Sequence, residues 1–128
     1  MIRWTSVVVG GAAFLAAHLV QTLAWRTWFQ GTFEPWFLNS GRAVAFTAAL
    51  LLLAGAVVSA ADWRESMIRG ANVAAGAFVA MILVLAVVGP GNLFPIVIAI
   101  AAVIAAASGG AGALAGWSLR RVRTRSRG

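Results

Sequence analysis

The chain contains no cysteine. That excludes disulfides, thiolate nucleophiles and cysteine-held metal or iron–sulfur centres. Lysine and tyrosine are missing too, which removes Schiff-base chemistry and tyrosyl radicals. One histidine and three acids are left for acid–base work among 128 residues. Covalent catalysis needs a nucleophile with a base in register, and a lone histidine does not supply the pair. The expectation is a protein that is not an enzyme and has neither a metal site nor an obligatory cofactor. Charge itself is scarce, at 10% of residues against about 25% in soluble domains.

What remains is apolar: 62% of residues are hydrophobic and the mean hydropathy is +0.92. Four long apolar runs occupy about 4–28, 43–61, 71–89 and 93–119. Each is close to or above the roughly 20 residues that cross about 30 Å of hydrocarbon. The predicted fold class is therefore an all-α membrane protein. A four-transmembrane-helix domain would span residues 1–119, and a basic cytoplasmic tail 120–128. The first run begins as a leader peptide does, but its length predicts a retained span. The uncharged turn Gly89-Pro90-Gly91-Asn92 predicts that helices 3 and 4 form an antiparallel hairpin.

Arginine sets the predicted orientation. Arg3, Arg64, Arg69, Arg120, Arg121, Arg123, Arg125 and Arg127 fall on one side of the four spans, and only Arg26 and Arg42 on the other. This positive-inside bias predicts that both termini are cytoplasmic in a multi-pass protein of the cell membrane, most simply a bacterial cytoplasmic membrane. Arg120, Arg121, Arg123, Arg125 and Arg127 are expected to meet anionic lipid headgroups. The tail has no aromatic interleaving, and nucleic acid is not an expected partner.

The fourth run, PIVIAIAAVIAAASGGAGALAGW over 95–117, carries no charge. On a helical wheel its small residues gather on one broad side, including Ala101, Ala105, Ser108, Gly109, Gly112 and Gly116. Each glycine costs a helix roughly 1 kcal/mol against alanine, but small residues let helix backbones approach closely inside a bilayer. Gly55 and Ser59 on helix 2, and Gly76 and Ala80 on helix 3, give narrower faces of the same kind. The small arc of helix 4 is wider than one contact needs, and it predicts a second contact with another molecule.

Helix 1 alone has a polar interior stripe, with His18, Gln21 and Thr22 on one face. An ionisable group inside a membrane is a functional hypothesis by default. His18 could hydrogen-bond across helices to neighbours of Gln21, to Asn72 or to Ser108. It could instead relay a proton or ligate a pigment or haem metal. The connection over 26–42 is rich in Trp and Phe and predicts a short amphipathic segment along the outer interface. Residues 62–69 read as a charged inner loop, with Glu65 and Arg69 spaced for an i,i+4 pair.

The run Ala17-His18-Leu19 followed by Trp25-Arg26-Thr27-Trp28-Phe29 resembles the membrane end of the light-harvesting beta polypeptides of purple bacteria. In that family a helix histidine ligates bacteriochlorophyll beside a WRPWF-like interfacial segment, so the resemblance implies His18 as a pigment ligand. It covers about a dozen residues. Phe14 stands where that family has a small residue, Thr27 replaces its proline, and the histidine-to-tryptophan spacing is one residue longer. Those chains also have one span. The motifs of two small four-span classes are missing: the helix-1 glutamate of small multidrug transporters and the polar segment of dual-topology fluoride channels.

The function expected from these residues is non-enzymatic: an accessory or structural subunit of a membrane complex, or a homo-oligomer, working by helix packing. The alternative is a small transporter or channel with a polar pathway of His18, Gln21 and Thr22, joined by Asn72 or Ser108.

Overall fold

The computed structural model describes residues 2–29, 37–39, 41–88 and 95–127. It contains four α-helices: α1 Trp4–Leu23, α2 Gly41–Val58, α3 Trp63–Val88 and α4 Pro95–Arg127. A short 3₁₀ turn, Phe37–Asn39, precedes α2. All four helices are long and apolar enough to cross a bilayer, so the architecture is that of an all-helical, multi-pass membrane chain.

Three boundaries lie well away, by more than a helical turn, from those the hydropathy predicts. α1 ends at Leu23, because Ala24 leaves the helical region at φ −112° and ψ 19°. The turn that follows buries Trp25 and Phe29, whose rings stack at 6.3 Å. α3 begins at Trp63, where the sequence predicts a loop to residue 70. Asp62 caps it: its carboxylate accepts the Glu65 backbone N–H at 3.1 Å, and its carbonyl accepts that of Ser66 at 2.9 Å. An acidic cap followed three residues later by glutamate is a helix-start pattern, so the charged segment forms two helical turns. α4 continues through the basic tail to Arg127. Arginine is a good helix former and nothing before Gly128 interrupts it.

The contacts fix how the helices run. Arg3 meets Asn72, and Val7 meets Gly76, so α1 and α3 are parallel. Leu52 meets Gly112 and Ser59 meets Gly116 and Arg120, so α2 and α4 are parallel. Gln21 meets Thr47 and Ala43, making α1 and α2 antiparallel. Trp63 meets Trp117 and Gly70 meets Gly109, making α3 and α4 antiparallel as well. Residues 89–94, where the sequence predicts a tight turn, lie outside the described residues.

Glycine allows these approaches. A Cβ on Gly10 would strike the Val73 carbonyl, and one on Gly76 would strike that of Val7. The α2–α4 seam repeats the device, with Gly112 against the Leu52 carbonyl and a Cβ on Gly55 only 2.6 Å from that of Gly109. On its other side, α4 lies against α3, where a Cβ on Gly109 would sit 2.9 Å from the Gly70 carbonyl oxygen. The broad small arc of α4 is thus largely taken up by two contacts within the chain. The width of the arc is accounted for by α2 and α3, and a contact with another molecule has to be argued from other residues.

In cross-section the helices form a rhombus. α2 and α3 touch across the short diagonal, while α1 and α4 each pack on both of them and scarcely meet each other. The core runs through Phe14, Leu51, Val73 and Met81. Two aromatic side chains of the 26–42 connection also belong to it: Phe29 and Phe37 are buried, and Phe37 meets Phe14 edge-on at 5.7 Å. These rings close one end of the bundle, whereas Trp28 is exposed. Residues 30–36, the middle of the predicted amphipathic segment, lie outside the described residues.

Candidate functional site

Polar side chains gather at the two ends of the bundle. At the aromatic end, α1 turns Gln21 inward, where it is fully buried. Its Nε2 donates to Thr47 Oγ1 at 2.6 Å and to the Ala43 carbonyl at 3.4 Å. His18 is half-buried one turn earlier, with its ring stacked beside Phe14 at 6.3 Å. His18 Nδ1 and Gln21 Oε1 are enclosed without a hydrogen-bond partner among the described residues. An enclosed polar atom with no partner costs about 1–3 kcal/mol. Thr22 is exposed and its hydroxyl donates back to the His18 carbonyl at 2.9 Å, so it turns toward its own helix.

At the arginine-rich end, Arg3 and Arg69 converge on Glu65. Arg3 donates from Nε and Nη2 to the two carboxylate oxygens, each at 2.9 Å. Arg69 Nε donates to Oε1 at 3.0 Å, which is the i,i+4 pair the sequence predicts. The hydrogen bonds it donates to Glu65, and then the charge of that carboxylate, hold the Arg3 guanidinium above its already high ordinary value. Arg69 Nη1 also donates to the Val58 carbonyl at the end of α2, at 3.2 Å. One carboxylate thus ties the ends of three helices together. Asn72 accepts the Arg3 backbone N–H at 3.2 Å and donates to the Ile68 carbonyl at 2.7 Å. Buried Ser66 donates to the Ala113 carbonyl of α4 at 2.9 Å.

The residues predicted to share a pathway are therefore not brought together. His18, Gln21 and Thr22 lie at one end. Asn72 is bonded to Arg3, about 27 Å along α1 from Gln21 at 1.5 Å per residue. Buried Ser108 precedes Gly109, which faces Gly70, and so belongs to the arginine-rich half. Gly55, Ser59, Gly76, Ala80, Ala105, Gly109, Gly112 and Gly116 are all buried. Of the tail arginines, Arg120 donates to Ser59 Oγ at 3.0 Å, Arg121 lies over the Trp117 ring at 5.3 Å, and Arg123 is exposed. The side chains of Arg125 and Arg127 lie outside the described residues. No cluster of three metal-ligating side chains occurs among the described residues.

Comparison with protein-family models, curated proteins and solved structures finds no match to this chain. Its functional reading therefore rests on the geometry above.

Sequence reasoning missed Arg3, Thr47 and Ser66 as helix-joining groups, and Gly10 as a seam residue. Two signals were present for these. Arg3 and Glu65 both precede apolar runs that start from the same side. Val7-x-x-Gly10 recurs as Val73-x-x-Gly76, and these are the residues that interlock.

Proposed function

We propose that this chain is a non-enzymatic integral membrane protein that works by helix packing, as a subunit of a larger membrane assembly or as a homo-oligomer. Its arginine-rich end, with both termini, would face the cytoplasm. The observation that carries the reading is Gly110. The other glycines deep within the helices have neighbouring backbone in reach, but a Cβ on Gly110 would meet nothing within 4 Å among the described residues. A mid-helix glycine costs roughly 1 kcal/mol against alanine, and here no contact inside the chain offsets it. Exposed Ala106, Ala107 and Ala111 surround it. Such an open small-residue site suits the backbone of another helix. The polar side chains support the same reading, since Gln21, Ser66, Glu65 and Asn72 all fasten one helix to another or to its own turn.

Native mass spectrometry of the wild-type chain and Gly110→Leu, in a mild detergent, tests this. The wild type should carry a second copy or another membrane polypeptide. Gly110→Leu should release it and keep the wild-type unfolding temperature. A wild-type preparation that is wholly monomeric, with nothing co-purifying, counts against the proposal.

A second reading keeps one specific observation in its favour. The unpartnered His18 Nδ1 and Gln21 Oε1 suit a short polar pathway for water or protons at the aromatic end. Proteoliposome flux that disappears in His18→Ala would move the conclusion to this reading. A pigment or haem on His18 is disfavoured by Phe14, which stacks beside the imidazole.

A further inference from the structure

We infer that the cleft between the start of α1 and the end of α2 is a binding site for a single anionic phospholipid. Such a site rests on the reading of the four helices as membrane spans and is independent of the assembly surface at Gly110. α1 and α2 are joined by Gln21 and Thr47 at the aromatic end. At the other end a cleft of about 570 Å³ opens between them, walled by Trp4, Val9, Val57 and Val58 and flanked by Arg3 and Arg69. That volume is in the usual range for small-molecule sites. The walls are mainly apolar, with Thr5 and Ser6 adding hydroxyls, and the guanidiniums of Arg3 and Arg69 at the mouth converge on the carboxylate of Glu65. Among the described residues this end of the bundle carries Arg3, Arg64, Arg69, Arg120, Arg121 and Arg123 against Asp62 and Glu65. Asp62 is directed at its own helix start and is exposed. Arg69 uses Nε and Nη1 for Glu65 and Val58, so its Nη2 group remains for an outside acceptor among the described residues.

A largely apolar trough that ends among arginines, at the end of the bundle where they outnumber carboxylates, matches an amphiphile with an anionic head. Basic pockets between helices at this level take phosphate headgroups. Arginine's planar donors suit phosphate oxygens. An acyl chain would lie along Val57 and Val9, with its phosphate at Arg69.

The test is native mass spectrometry of the full chain exposed to equimolar phosphatidylglycerol and phosphatidylcholine. The wild type should retain the anionic lipid over the zwitterionic one by about fivefold, the preference expected from one juxtamembrane arginine. Val57→Trp, which fills the trough at an exposed position and leaves the charges alone, should lose most of the bound lipid. Arg69→Gln should bind both lipids alike. Arg123→Gln/Arg125→Gln/Arg127→Gln, which neutralises the tail, should keep the wild-type preference. Equal retention of the two lipids by the wild type overturns the inference, as does undiminished binding in Val57→Trp. Loss of the preference in the tail variant assigns it to the tail and equally overturns it. Millimolar inorganic phosphate should leave the lipid in place, and displacement by phosphate alone would show a free-anion site instead.

Discussion

Gly10 and Gly110 show at the residue scale what this chain asks of its smallest side chain. Both lie inside helices, where alanine is intrinsically better by roughly 1 kcal/mol. At Gly10 a methyl group would meet the Val73 carbonyl, with backbone on both sides and nothing soft to yield. Overpacking of that kind typically costs about 1–3 kcal/mol. Gly10→Ala is expected to lower the unfolding temperature in detergent, and Gly110→Ala to leave it unchanged or raise it. Equal shifts for the two would remove the seam from the explanation. A second residue-scale expectation concerns Gln21 and Thr47, whose bond is enclosed on all sides. Gln21→Leu and Thr47→Val should each destabilise by about 1–3 kcal/mol, and the double variant by less than the sum, because each single change strands the other's polar group. Additive losses in denaturant titrations would contradict that coupling. The small-residue faces of helices 2, 3 and 4 were legible in the sequence because glycine is costly in a helix unless something needs the space. Gly10 was legible only through the Val7-x-x-Gly10 spacing that recurs as Val73-x-x-Gly76.

At the scale of elements, hydropathy locates spans but caps and side-chain pairs decide where helices end. All four helices were legible as apolar runs. The start of α3 was not, since Asp62, Arg64, Glu65 and Arg69 look like a solvated turn. In fact Asp62 satisfies the first free amides and Glu65 binds forward to Arg69 and across to Arg3. Replacing such a cap with alanine usually costs about 1 kcal/mol. Asp62→Ala should therefore speed amide hydrogen exchange at residues 65–68 and leave residues 80–88 unaffected. Uniform exchange changes along α3 would refute a local capping role. The same comparison explains the aromatic connection. Its composition suits an interface, but burial is decided by which rings the bundle end can accept, and it accepts Phe29 and Phe37. Asn72 does not join His18 and Gln21, because shared residue type carries no height along the helix. Asn72 and Gln21 are both amides near opposite ends of the bundle.

For the whole molecule, two quantities set the behaviour: the arginine asymmetry and the division of small residues between seams inside the chain and one open face. The asymmetry predicts an orientation that the lack of cysteine makes easy to test. In intact cells a membrane-impermeant maleimide should label Arg42→Cys and spare Arg123→Cys until the membrane is opened. The reverse pattern would invert the molecule. The open face is tested most directly in native membranes by a photoactivatable label on Leu114→Cys, one turn beyond Gly110 on the exposed side of α4. The control is the same label on Leu83→Cys, on an exposed part of α3. Light should join the label at 114 to a second polypeptide, giving a species well above 13.3 kDa, while the label at 83 reacts only with lipid. No adduct at 114, or equal adducts at both positions, would contradict an assembly surface on α4.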